Sequence, residues 1–123
     1  MLLAAPVTAV TLATLLAEIE AMAVPGAVLD VGGKVLGINA AAARLLVRPP
    51  SEVVGRMAWE FAPGFEYVWA ERIEVARGSS GRTFEIAIAT PRGALMLEYV
   101  LAVHELAGQT LVVASVITSR PLT

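Results

Sequence analysis

Two apolar stretches near the C-terminal end, ALMLEYVLAVHE over 94–105 and TLVVASVITS over 110–119, place the tightest demand on any fold this chain adopts. Both are rich in β-branched and long apolar residues, which favours extended backbone. Neither alternates. Apart from Glu98, His104 and the terminal Glu105 the first is apolar on both faces, and the second is largely apolar on both as well. A sheet with one face in water alternates apolar with polar side chains, so these strands require cover on both sides. With 123 residues the chain supports one core and one domain. The cover has to come from its own helices or from a second polypeptide.

Three more strands complete the sheet. Residues 83–90 alternate, with Phe84, Ile86 and Ile88 on one face and Glu85, Ala87 and Ala89 on the other. Pro91-Arg92-Gly93 and Ala107-Gly108-Gln109 supply the turns between the last three strands. Residues 26–31 and 34–38 read as a hairpin about Gly32-Gly33, since glycine tolerates the positive φ of a tight turn. The glycine pair is not a phosphate loop, because it lacks a Gly-Lys-Ser/Thr ending and no helix follows it directly. The expected class is α+β, a five-stranded antiparallel sheet with short helices on one face and an N-terminal amphipathic helix.

Residues 1–17 carry no charge. No Lys or Arg precedes Lys34, Pro6 interrupts the run, and Glu18 and Glu20 end it short of a bilayer's width, so neither a leader peptide nor a membrane span is expected. Leu12, Leu15, Leu16, Ile19 and Met22 instead follow helical spacing, with Thr8 or Thr11 as cap and Pro25 as stop. The composition is 57% apolar and 16% charged, against about a quarter charged in ordinary soluble domains. Monomers rarely leave so much apolar surface bare. These five residues are therefore the candidate interface with a second copy, residues 1–24 the capping and dimerisation segment, 25–119 the domain proper and 120–123 a tail.

Further along, Asn39 stands immediately before AAAARLL and reads as its N-cap. Pro49 and Pro50 end that helix, Ser51 offers a fresh cap for SEVV, and Gly55 stops it. Trp59, Phe61, Phe65, Tyr67 and Trp69 crowd into the region that follows. A helix over 66–77 puts Phe65, Val68, Trp69, Arg72, Ile73 and Ala76 on one stripe.

The order of a strand, Asn-Ala-Ala-Ala-Ala-Arg-Leu-Leu, a Pro-containing turn, Ser-Glu-Val-Val-Gly-Arg, an aromatic-bearing helix and three long strands resembles a PAS domain, the small sensory module of bacterial signalling proteins. The likeness spans 25–119 and closes on Val116-Ile117-Thr118, with Val116 where that family often has Asp. It implies a signal-transduction module acting through homodimerisation, coupled to an effector such as a histidine kinase or a transcription regulator. It also implies a ligand cavity, here near Phe61, Trp69, Ile73, Phe84, Ile86 and Tyr99. An apolar ligand or a non-covalent flavin is the alternative to an empty core.

The chemistry is sparse. There is no cysteine, which removes thiolate metal sites, a Cys nucleophile and the flavin–Cys adduct of light-sensing relatives. His104 is the single histidine, too few donors for zinc, and the 66–77 helix has no His to hold haem in the manner of some relatives. Glu98 and His104 stand six residues apart on one strand, roughly 20 Å, too far for an acid/base pair, and His104 reads as an edge or surface residue. No catalytic arrangement is expected. Eleven acids against nine Lys and Arg give a net charge of -2, and the bases do not cluster along the chain, which argues against nucleic acid. The expected location is the cytoplasm.

Overall fold

The structure is a computed structural model that describes residues 11–106 and 108–122. Helix α1 (Leu12–Glu20) starts at Thr11, whose hydroxyl accepts the Thr14 N–H at 3.1 Å. A cap at Thr8 would lie outside the described residues. Strands β1 (Gly26–Asp30) and β2 (Val35–Ile38) form the hairpin, closed by the Asp30 carboxylate, which accepts from the Lys34 N–H at 2.9 Å. Helix α2 (Ala40–Leu46) follows at once. After several short turns come helix α3 (Trp69–Gly78) and strands β3 (Thr83–Thr90), β4 (Gly93–Leu106) and β5 (Gln109–Pro121). The strands make one antiparallel sheet in the order β2-β1-β5-β4-β3.

The doubly apolar strands β4 and β5 lie inside this sheet, and each face has its own cover. The inner face carries Leu29, Ile88, Leu97, Tyr99, Leu101 and Val112 against α2, α3 and the aromatic turns. On the outer face α1 lays Leu15 and Ile19 over Val28, Leu111 and Val113. Leu15 is 0% and Ile19 1% exposed, so burying each side chain contributes about 1.5–3 kcal/mol. Leu16 seats over Gly37 on β2, where any Cβ would collide with it.

Several local expectations are corrected. Ser51 is not a cap: the second short helix is a 3₁₀ turn, Pro50–Glu52, with Pro49 at its N-cap. Proline has its φ preset and no N–H to satisfy, which suits Pro50 to the first position. The aromatic helix starts later than residue 66, because Phe65–Tyr67 is a 3₁₀ turn before α3. Its stripe survives, with Phe65, Trp69, Ile73 and Ala76 buried. Strand β5 runs through Arg120 and Pro121, and Leu122 N–H reaches Ala94 O at 2.9 Å, so residues 120–122 belong to the sheet rather than to a tail. Helix α2 ends on Val47 at φ 57, a left-handed conformation costing a β-branched residue about 1–2 kcal/mol. Arg48 N–H then closes back on Ala43 O at 3.1 Å.

Candidate functional site, an apolar cavity

Between the inner face and the helices lies a cavity of about 130 Å³. Its floor is Leu97, Tyr99 and Leu101 of β4 with Ala114 and Val116 of β5, and its walls come from α2, the 3₁₀ turns and α3. Among the lining residues only Trp69 and Tyr99 carry a polar side-chain atom, and both atoms are engaged elsewhere. Trp69 Nε1 donates to Val31 O at 2.8 Å. Tyr99 Oη accepts from Arg72 Nη1 at 2.7 Å. Burial raises the Tyr99 pKa, the Arg72 hydrogen bond opposes this more weakly, and the hydroxyl stays neutral. The Arg72 guanidinium is in turn held over the rings of Phe65, Phe84 and Tyr99 at 5.9, 5.6 and 6.0 Å. The cavity is left with no side-chain hydrogen-bonding group facing inward.

Of the six residues expected at a cavity, Phe61, Trp69, Ile86 and Tyr99 line it. Ile73 and Phe84 do not. Ile73 is 2% exposed in the core behind the wall, and Phe84 packs under Arg72. The sequence reading missed Phe65, Ala42, Leu45, Leu46, Leu97 and Leu101. Period-two spacing from Tyr99 would have found Leu97 and Leu101, while nothing local marks the α2 residues.

The candidate interface is largely taken up within the chain. Leu15 and Ile19 are buried against its own sheet, and Leu12, Leu16 and Met22 are partly buried against the same cluster, so α1 closes its own core. Asn39 does cap α2, accepting from Ala42 N–H at 2.9 Å, and it does more. Its Oδ1 also accepts from Gly26 N–H at 3.0 Å, and its Nδ2 donates to Ile19 O and Val24 O at 2.8 and 2.9 Å. Gly55, at φ 92, donates to Val35 O at 2.8 Å and ties its turn to β2.

His104 is partly buried on β4, an interior strand, rather than at an edge or on the open surface, and its Nε2 has no partner among the described residues. The bases do cluster once folded. Arg44, Arg48 and Arg92 line one open depression beside the C-terminal end of α2. No group of three His, Asp or Glu capable of holding a metal occurs among the described residues. No described helix is long and apolar enough to cross a membrane.

Comparison with known proteins bears on this fold and cavity. Curated protein sequences give no match. Among solved structures, the PAS domain of an HTR-like protein from Haloarcula marismortui is 26% identical, with a TM-score of 0.67 over 89% of this chain and 90% of that one. A PAS domain from a two-component sensor histidine kinase is 14% identical, with a TM-score of 0.68 over 85% and 91%. The PAS domain of a LuxR-family transcriptional regulator from Burkholderia thailandensis, solved in complex with ethanol, is 10% identical, with a TM-score of 0.64 over 82% and 95%. The family model described as PAS fold matches residues 14–104. With a sheet in the order β2-β1-β5-β4-β3 closed over an apolar cavity, and a family match across most of its length, this chain belongs to the PAS family.

Proposed function

We propose that this PAS domain is a non-catalytic sensory and regulatory module of signal transduction, and that its cavity takes up a small apolar molecule. The observation that carries this reading is the lining itself, in which both polar side-chain atoms are turned away from the cavity and bonded elsewhere. A sealed cavity of about 150 Å³ with aliphatic and aromatic walls stays dry and accepts benzene, and this one has a similar volume but is partly open to solvent. A flavin is poorly supported. Its ring system needs donors and acceptors along one edge, and the side chains lining the cavity offer none. The effector would be a histidine kinase or a transcription regulator, the kinds of protein that carry the similar domains.

Benzene is the first probe. At ten times its dissociation constant it should stabilise the protein by about 1.4 kcal/mol in thermal unfolding, and Ala114→Leu, which fills the floor, should remove that gain while the variant remains folded. If benzene leaves wild-type unfolding unchanged up to its solubility limit, the cavity is a packing void and the sensor reading fails.

A second reading, homodimerisation, rests on a different observation. Helix α1 packs over β1, β2 and the start of β5, while on β3 and β4 Ala87, Ala89 and Ala102 remain exposed beside the partly buried Met96 and Val100. A second copy docking there would complete the cover that β4 requires.

A further inference from the structure

The depression lined by Arg44, Arg48 and Arg92 plays no part in the cavity. Arg44 lies on α2, Arg48 just beyond its end, and Arg92 in the turn between β3 and β4. Its remaining lining is Ala43, Val47 and Pro49, with no carboxylate. Among the described residues the ion pairs use Arg56, Arg77 and Arg120, and Arg44, Arg48 and Arg92 take part in none. Arg48 lies over the Phe61 ring with its guanidinium carbon 5.3 Å from the centroid, and its buried Nε has no hydrogen-bond partner among the described residues.

The contact with Phe61 is favourable, but the unpaired charges and the unpartnered Nε cost stability in the isolated domain. Like charges four residues apart repel, a guanidinium cannot shed its proton, and a buried donor without a partner forfeits its hydration. Carboxylates supplied from outside would offset the repulsion among the three charges, because the guanidinium fork matches a carboxylate with two parallel hydrogen bonds. The small apolar surfaces of Ala43, Val47 and Pro49 between the charges suit side chains rather than a bare inorganic ion. A long polyanion is disfavoured. The chain has six other Lys and Arg against eleven acids, a net charge of -5 outside the three arginines, which disfavours a polyanion long enough to extend beyond the depression.

We propose that this depression is a docking site for an acidic segment of a partner polypeptide, in which Asp or Glu residues alternate with small apolar ones. The test uses the whole chain and a fluorescent Glu-Ala-Glu-Glu-Ala-Glu peptide, followed by anisotropy at low salt, with the Gln-for-Glu peptide as control. The wild-type protein should bind the Glu peptide and not the Gln peptide, and added salt should weaken the complex. Arg44→Gln and Arg92→Gln should each weaken it about threefold, and the triple variant with Arg48→Gln about thirtyfold. Arg56→Gln, at a site elsewhere, should leave it unchanged. Because Arg48 packs on Phe61, Arg44→Glu/Arg92→Glu provides a separate check that keeps this contact, and it should exchange preference to a Lys-Ala peptide. Equal binding of the Glu and Gln peptides, or no loss in the triple variant, would overturn the proposal. Inorganic phosphate that displaces the peptide at equal concentration would assign the site to a free anion and overturn it as well.

Discussion

At Asn39 one amide group holds four backbone atoms, from α1, the segment after it, β1 and α2, in a side chain only 3% exposed. Alanine there would strand two buried donors and two carbonyls at once. Asn39→Ala should cost about 3 kcal/mol in urea unfolding, above the usual loss of an N-cap alone. Asn39→Asp keeps the acceptor but sets a carboxylate against Ile19 O and Val24 O, and should be no better tolerated. A loss below about 1 kcal/mol for alanine would mean that α2 capping is the whole of its role. Only that capping role was legible in the sequence, from an Asn placed before AAAARLL. The other bonds reach Ile19, Val24 and Gly26, twenty, fifteen and thirteen residues away, and no local pattern encodes them. The left-handed Val47 was equally hidden, since a β-branched residue gives no signal for positive φ.

At the scale of elements, periodicity was a good guide. The hairpin, α2 and the three long strands stand where apolar patterning and Gly/Pro punctuation put them, because these elements are set by which face is buried. The 3₁₀ turns and the gathering of Arg44, Arg48 and Arg92 were not legible, since they depend on where the β3–β4 turn arrives in space. The amphipathic face of α1 was legible, but not its seat. Gly37 reads in sequence as a weak point in a strand, whereas folded it is the gap that admits Leu16. Gly37→Ala should therefore cost about 2 kcal/mol and speed amide exchange in α1 more than in β4. Adding Leu16→Ala should recover part of the loss. If the double variant is less stable than either single one, the two residues do not share this space.

At the scale of the whole molecule, the described residues cover β4 and β5 fully on the inner face and only partly on the outer one. The homodimer reading predicts that the purified protein is a dimer by light scattering. Ala102→Glu, on the exposed outer surface, should convert it to a monomer with little change in the melting temperature of the fold. A wild-type monomer throughout the micromolar range would remove that reading and leave the cavity as the functional feature. The slot at Gly37 also bears on assembly. Within one chain it holds Leu16, and Val28, Leu111 and Val113 hold Leu15 and Ile19; the same residues from a second copy would fit these sites equally. Two copies that exchanged α1 about residues 21–25 would reproduce every helix–sheet contact of the single chain. Such a swapped pair would be held together by surfaces that already exist within one molecule, and no substitution chosen to disrupt a new interface would separate it.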